Sequence, residues 1–125
     1  MPQFTEDQEL ILDSVKEFCK EQIEPLVPVM EAGDFPMELL AQMRELGYPN
    51  CSIAEEWGGL GESMTLHVAM EIEMAKQCLT VALYGCSNPI ATLVTQVGTQ
   101  EQKELFMPGL IAGGGGLGFT EPTAG

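Results

Sequence analysis

The residues equipped for chemistry are few: one histidine (His67), four cysteines and some neighbouring carboxylates. An imidazole titrates near neutrality and can serve as general base or metal ligand, but only beside a nucleophile or further ligands. The sequence around His67 supplies neither. Cys19, Cys51, Cys78 and Cys86 form no C-x-x-C pair and stand at no zinc-ligand spacing from His67, so no metal site is expected. Glu55/Glu56 and Glu71/Glu73 would act as acid and base only if their surroundings separated their pKa values; in so acidic a chain they read as solvated faces. The glycines at 113 to 116 and 118 lack the following Lys-Ser or Lys-Thr and the preceding strand of a phosphate loop. They read as a flexible crossing.

Composition narrows the classes further. With 125 residues, 45% of them apolar, the chain can bury one compact core. Its 19 acidic residues against 5 basic ones give a net charge of −14, which repels polyphosphates and excludes nucleic acid as a partner. A phosphate-bearing ligand would need cations or helix N-termini from elsewhere. The first 20 residues are charged and lack a secretory apolar run, so the thiols are expected reduced and mostly buried. No apolar run approaches the ~18 to 20 residues of a membrane span.

The elements follow from periodicity and punctuation. Thr5-Glu6-Asp7-Gln8 is a capping box that opens a helix with Ile11, Val15, Phe18 or Cys19, Ile23 and Leu26 inward and Glu9, Asp13, Lys16, Glu17 and Lys20 outward. Pro25 and Pro28 should kink or end it after Ile23, with Gly33 as terminator. Phe35-Pro36 reopens a helix with the stripe Leu39, Leu40, Met43 and Leu46, closed by Gly47. From Tyr48 to Ser63 the pattern is lost, and Trp57-Gly58-Gly59-Leu60-Gly61 reads as a loop.

A third helix from Met64 to Cys78 is expected to bury Val68, Ile72, Ala75 and Leu79. Thr80 to Val97, apolar on nearly every side, suits a central helix divided at Gly85 and Pro89. Met30, Met43, Met70 and Met74 fall on or beside these stripes and are expected in the core. Gly98 stops one helix and the Thr99/Gln102 capping box starts the next, through Leu105, Phe106, Leu110 and Ile111. After the glycine run, Leu117 to Thr120 can begin a strand. The expected fold class is all-α, a bundle of about five or six helices over residues 1–112, followed by a glycine linker and the start of a β-domain over 113–125.

Three segments in order carry a resemblance: Ile53-Ala54-Glu55-Glu56-Trp57-Gly58-Gly59-Leu60-Gly61, Gly98-Thr99-Gln100-Glu101-Gln102-Lys103, and Phe119-Thr120-Glu121-Pro122-Thr123-Ala124-Gly125. Together they resemble the acyl-CoA dehydrogenase family. The resemblance implies a helical N-terminal domain, a β-barrel middle domain and a helical C-terminal domain, assembled as a homotetramer around FAD. It implies removal of the α-proton and β-hydride of an acyl-CoA thioester, the catalytic glutamate coming from the C-terminal domain and an electron-transferring flavoprotein reoxidising the cofactor. Carried over by motif, Thr120 matches the flavin-contacting hydroxyl residue, Leu117 and Phe119 line the same flavin face, and Gly125 sits where backbone passes close to cofactor and substrate. Leu117 departs from an aromatic common in the family, Thr123 from a glycine and Ala54 from a proline.

No catalytic base falls within the chain, and truncation is expected to leave this polypeptide alone inactive. Tyr84 and Met70 would shape an acyl pocket if their helices border it, for a short or medium chain. The missing transit peptide suggests a bacterial cytoplasm. The alternative reading is a non-catalytic helical interaction module that keeps the family fold; an acyl-CoA oxidase is a third.

Overall fold

The computed structural model describes residues 3–85, 88–113, 115–116, 118 and 121–123, with the Tyr84 side chain outside that description. Helix α1 (Glu6–Phe18) starts where the capping box places it: the Thr5 hydroxyl accepts from the Gln8 amide at 3.2 Å, and the Gln8 side chain accepts from the Thr5 amide at 3.3 Å. The rod continues through a π turn (Cys19–Ile23) and a 3-10 turn (Glu24–Leu26) into α2 (Val27–Glu31). Pro25 and Pro28 lack the amides that would continue an α ladder, so the chain widens before them and tightens at them instead of ending. At 3.6 residues per turn a four-residue spacing drifts around the helix, and the wide turn absorbs that drift. Val15, Cys19 and Ile23 all stay inward, at 0%, 2% and 0% exposure.

Helix α3 (Met37–Glu45) buries Leu39, Leu40 and Met43, whereas Leu46 sits at its C-cap and is exposed. Pro36 takes the N-cap place rather than the first helical position. Gly47 ends the helix with φ +75°, where a Cβ would meet Leu60 Cδ2 at 2.8 Å. The following connection lacks periodicity yet is core: Tyr48, Pro49, Asn50, Cys51 and Ile53 are buried. It folds back on itself through Leu60 N to Asn50 O (3.2 Å), Gly61 N to Ile53 O (2.8 Å) and Glu62 N to Cys51 O (2.9 Å). Gly59 lies so close to the Ile53 carbonyl that a Cβ has no room.

Helix α4 (Met64–Gln77) is capped by Ser63, then come α5 (Leu79–Gly85), α6 (Pro89–Val97) and α7 (Gln100–Ile111), the last opened by the Thr99/Gln102 box. Counting the α1 to α2 rod as one gives six helices among the described residues, within the expected number. The expected faces of α4 and α7 are partly wrong. Helix α4 buries Leu66, His67, Met70 and Met74, leaving Val68, Ile72, Ala75 and Leu79 exposed. It carries apolar residues on both sides, so periodicity alone does not choose the inner one. Helix α7 buries Met107 and Leu110 while Leu105 and Phe106 face out. The α5 and α6 pair divides where expected, but Leu83, Leu93 and Val97 are exposed rather than central.

Two apolar clusters result. The larger joins α1, the π turn, α3, α4 and α5 around Val15, Ile23, Met43, Leu66, Met70, Met74 and Val81, with Phe18 edge-on to Tyr48 at 5.5 Å. The smaller gathers Ile53, Ala91, Met107 and Leu110 between the 48–63 connection, α6 and α7. No helix among the described residues is long and apolar enough to cross a membrane. The expected strand at 117–120 includes Leu117, Phe119 and Thr120, which lie outside the described residues.

Candidate functional site

Two places gather polar side chains against apolar walls. The first is the end of α7. The last carbonyls of an α-helix have no partner within the helix, and here side chains from other elements supply one. Asn88, the N-cap of α6, accepts from the Ala91 amide at 3.2 Å and turns both amide hydrogens elsewhere, to Leu110 O at 2.9 Å and to Asn50 Oδ1 at 2.8 Å. Asn50, 4% exposed, donates to Ile111 O at 3.2 Å. Burial of an amide is costly unless its hydrogen bonds are made, and no buried side-chain nitrogen or oxygen among the described residues lacks a partner.

Beside this network lies a cavity of about 320 Å³. Leu40, Leu83, Ile90 and Leu110 form apolar walls, Arg44 is the one cation on its lining, and Gly113, Gly115 and Gly116 run along it. Gly113 has φ +90°, and a Cβ there would meet the Arg44 guanidinium at 2.7 Å. A Cβ on Gly115 would meet Leu110 at 3.0 Å and Ile90 at 3.1 Å.

The second place is a cavity of about 310 Å³ between α4 and α6, lined by Met64, His67, Glu71, Asn88, Thr92 and Gln96 among others. His67 Nδ1 lies 2.9 Å from Ser52 Oγ, and Nε2 lies 3.8 Å from Glu71 Oε1. The set of residue types is that of a hydrolytic triad, but the geometry is not. Ser52 does not line the cavity, so a molecule there meets the imidazole edge and not the hydroxyl; the contact to Glu71 exceeds hydrogen-bond length. His67, 4% exposed, is a ring held in the core.

The other sequence candidates are dispersed. Glu55 and Glu56 are exposed, and Glu73 pairs with Lys76 at 2.7 Å. Cys19 and Cys51 are buried free thiols, each pushed up from 9.0 to about 11, chiefly because burial disfavours the thiolate. Cys78 is free and half-buried. Met70 is fully buried in the larger cluster and lines neither cavity. Leu117, Phe119, Thr120 and Gly125, the expected cofactor residues, lie outside the described residues, as does the Tyr84 side chain. Sequence reading missed both Asn50 and Asn88. The available signal was an Asn before Pro89 at a helix start, and another inside the apolar run from Tyr48 to Ile53.

The bundle, its order and its glycine exit define a helical domain of acyl-CoA dehydrogenase type: the crystal structure of an acyl-CoA dehydrogenase from Geobacillus kaustophilus shares this fold with a TM-score of 0.77, over 98% of this chain and 33% of that one, at 23% identity. The family model for the acyl-CoA dehydrogenase N-terminal domain matches residues 5–114. The chain belongs to the acyl-CoA dehydrogenase family. It is 32% identical over 126 residues to the short-chain-specific acyl-CoA dehydrogenase of Clostridium acetobutylicum, covering 97% of this chain and 33% of the relative. It is 34% identical over 128 residues to the 3-(aryl)acrylate reductase of Clostridium sporogenes, covering 98% and 34%. The chain thus spans about a third of the length of the curated relatives it matches.

Proposed function

We propose that this chain is the N-terminal part of a flavin-dependent acyl-CoA dehydrogenase that oxidises the Cα–Cβ bond of an acyl-CoA thioester. The observation that carries the reading is the family match over residues 5–114, followed by the Thr120-Glu121-Pro122-Thr123-Ala124-Gly125 segment. Residues 1–112 form the helical domain and 113–125 the crossing into a β-domain. The wider enzyme is a cytoplasmic homotetramer that passes electrons to an electron-transferring flavoprotein.

The described residues suit one wall of an FAD site. The cavity beside the glycine exit offers the apolar surface that a flat ring requires, and glycines that leave its approach open: Gly116 and Gly118 have no atom within 4 Å of an added Cβ. With Arg44 the one cation lining it, on a chain of charge −14, the pyrophosphate is held by groups beyond this segment. Leu117, Phe119, Thr120 and Gly125 would hold the ring. Bound FAD supplies hydride acceptance. This chain's part is to exclude water with Leu40, Leu83 and Ile90 and to present a neutral donor at Thr120. No residue here is assigned as the base.

The reductase relative favours a second reading, in which the same residues support hydrogenation of an α,β-unsaturated acid derivative. The test is an absorbance spectrum of the purified gene product, with butyryl-CoA then added without oxygen. Flavin bands that bleach support dehydrogenation, and bands that bleach only with a reductant and reappear with an acrylyl thioester support the reductase reading. A colourless product that does not take up FAD overturns both. The 125-residue polypeptide alone is expected to show no turnover.

A further inference from the structure

We infer that Arg44, Asn50 and Asn88 act together as a positioning group that fixes the direction in which the chain leaves α7 for residues 117–125. Its purpose rests on the flavin reading of that segment, while its geometry does not.

Two stretches remote from α7 in sequence meet at its end: residues 44–50, from the last turn of α3 through the turn after Gly47, and the N-cap of α6. A helix terminus that merely needed its carbonyls satisfied could leave them to water. Here Leu110 O and Ile111 O are taken by side-chain amides instead, and Leu110 O also accepts from the Gly113 amide at 3.0 Å. Because the two amides also bond each other, α7 cannot rotate or slide against α6 and the 48–50 turn without breaking several bonds together.

Arg44 completes the group. It forms no ion pair among the described residues, although the chain carries 19 carboxylates. Its guanidinium instead covers Gly113, just past the negative end of the α7 dipole, where a cation is favoured. The left-handed backbone at Gly113 turns the chain, and the planar group above it closes off the space into which the turn could relax. The next described glycine, Gly115, is thereby laid against Leu110 and Ile90.

The roles are separable by isosteres. Asn88→Asp keeps the oxygen that caps α6 but loses the hydrogens given to Leu110 O and Asn50. Amide exchange and chemical shifts are to be measured by NMR on the 125-residue chain. In Asn88→Asp, exchange at Gly113 is expected to quicken about tenfold, with resonances of Gly113, Gly115 and Gly116 displaced and exchange at Leu66 and Met70 in α4 unchanged. Equal acceleration at Gly113 and Leu66 would mean a general loss of stability and would overturn the inference. Should Asn88→Asp not fold, Arg44→Gln, at an exposed position, decides: displaced Gly113 and Gly115 resonances at unaltered Tm support the group, and unmoved resonances overturn it. Failure of the gene product to take up FAD would sink the flavin reading and leave this result standing.

Discussion

The two halves of the bundle are stabilised by different means. Around α1, α3, α4 and α5 the larger cluster is almost wholly apolar, and its members interlock from these helices, the π turn and the connection after Gly47. Around α6 and α7 four buried residues make a small cluster, and the asparagine network carries much of the fixing. Exposed apolar side chains fall in both halves: Leu10, Met37, Leu79 and Leu83 in the first, and Leu93, Val97, Leu105 and Phe106 in the second. Apolar burial is additive and tolerant of small shifts, whereas a hydrogen-bonded amide pair is lost as a unit once one member goes. The first half is therefore expected to set global stability and the second to set the geometry of the exit.

That contrast breaks most visibly in the core. Met70→Ala, at 0% exposure, should cost about 2–5 kcal/mol and lower the urea midpoint for the whole chain. Loss of α7 alone, with α1 and α4 still protected from exchange, would reverse the assignment of the halves. Next in size is the thiol behaviour of the larger cluster. With Cys19 and Cys51 raised from 9.0 to about 11, their alkylation at pH 8 should run at least about a hundredfold slower than in the unfolded chain, and Cys78 should react before either. The folded state holds these protons to higher pH than the unfolded one, so stability should fall as pH rises from 9 to about 11. A stability curve flat across that window would contradict the burial of both thiols.

Smaller again is Asn88→Ala, which removes a cap and two further hydrogen bonds for about 2–3 kcal/mol. Its effect should fall on exchange in α6 and α7 before α1. Thr99→Ala removes only the α7 cap, about 1 kcal/mol by thermal melting, and sharpens the contrast if the corresponding Thr5→Ala costs the same.

What the sequence made legible was local. Both capping boxes, the break between Gly85 and Pro89 and the terminating Gly47 are written in residues three or four apart, and the helices begin or end there. The inner face of α4 was only partly legible: Met70 and Met74 are in the core as expected, but Val68 and Ile72 compete with Leu66 for the inner side, and only packing against α1, the π turn and α5 selects between them. Nor was the Asn50 to Asn88 contact, made across 38 residues. The motif that carries the cofactor reading was plain in sequence, yet Thr120 and Gly125 fall outside the described residues.

The π turn at Cys19–Ile23 bears on how this rod tolerates changes of length. Removing one residue from a regular α-helix swings everything beyond the gap by about 100° and turns the buried stripe outward. A wide turn holds one residue more than a regular turn, so excision of Lys20, whose side chain faces solvent, would convert it to ordinary α-helix. The rod thus contains one place where a single-codon deletion shortens the chain while leaving Leu12 and Val15 facing the same neighbours.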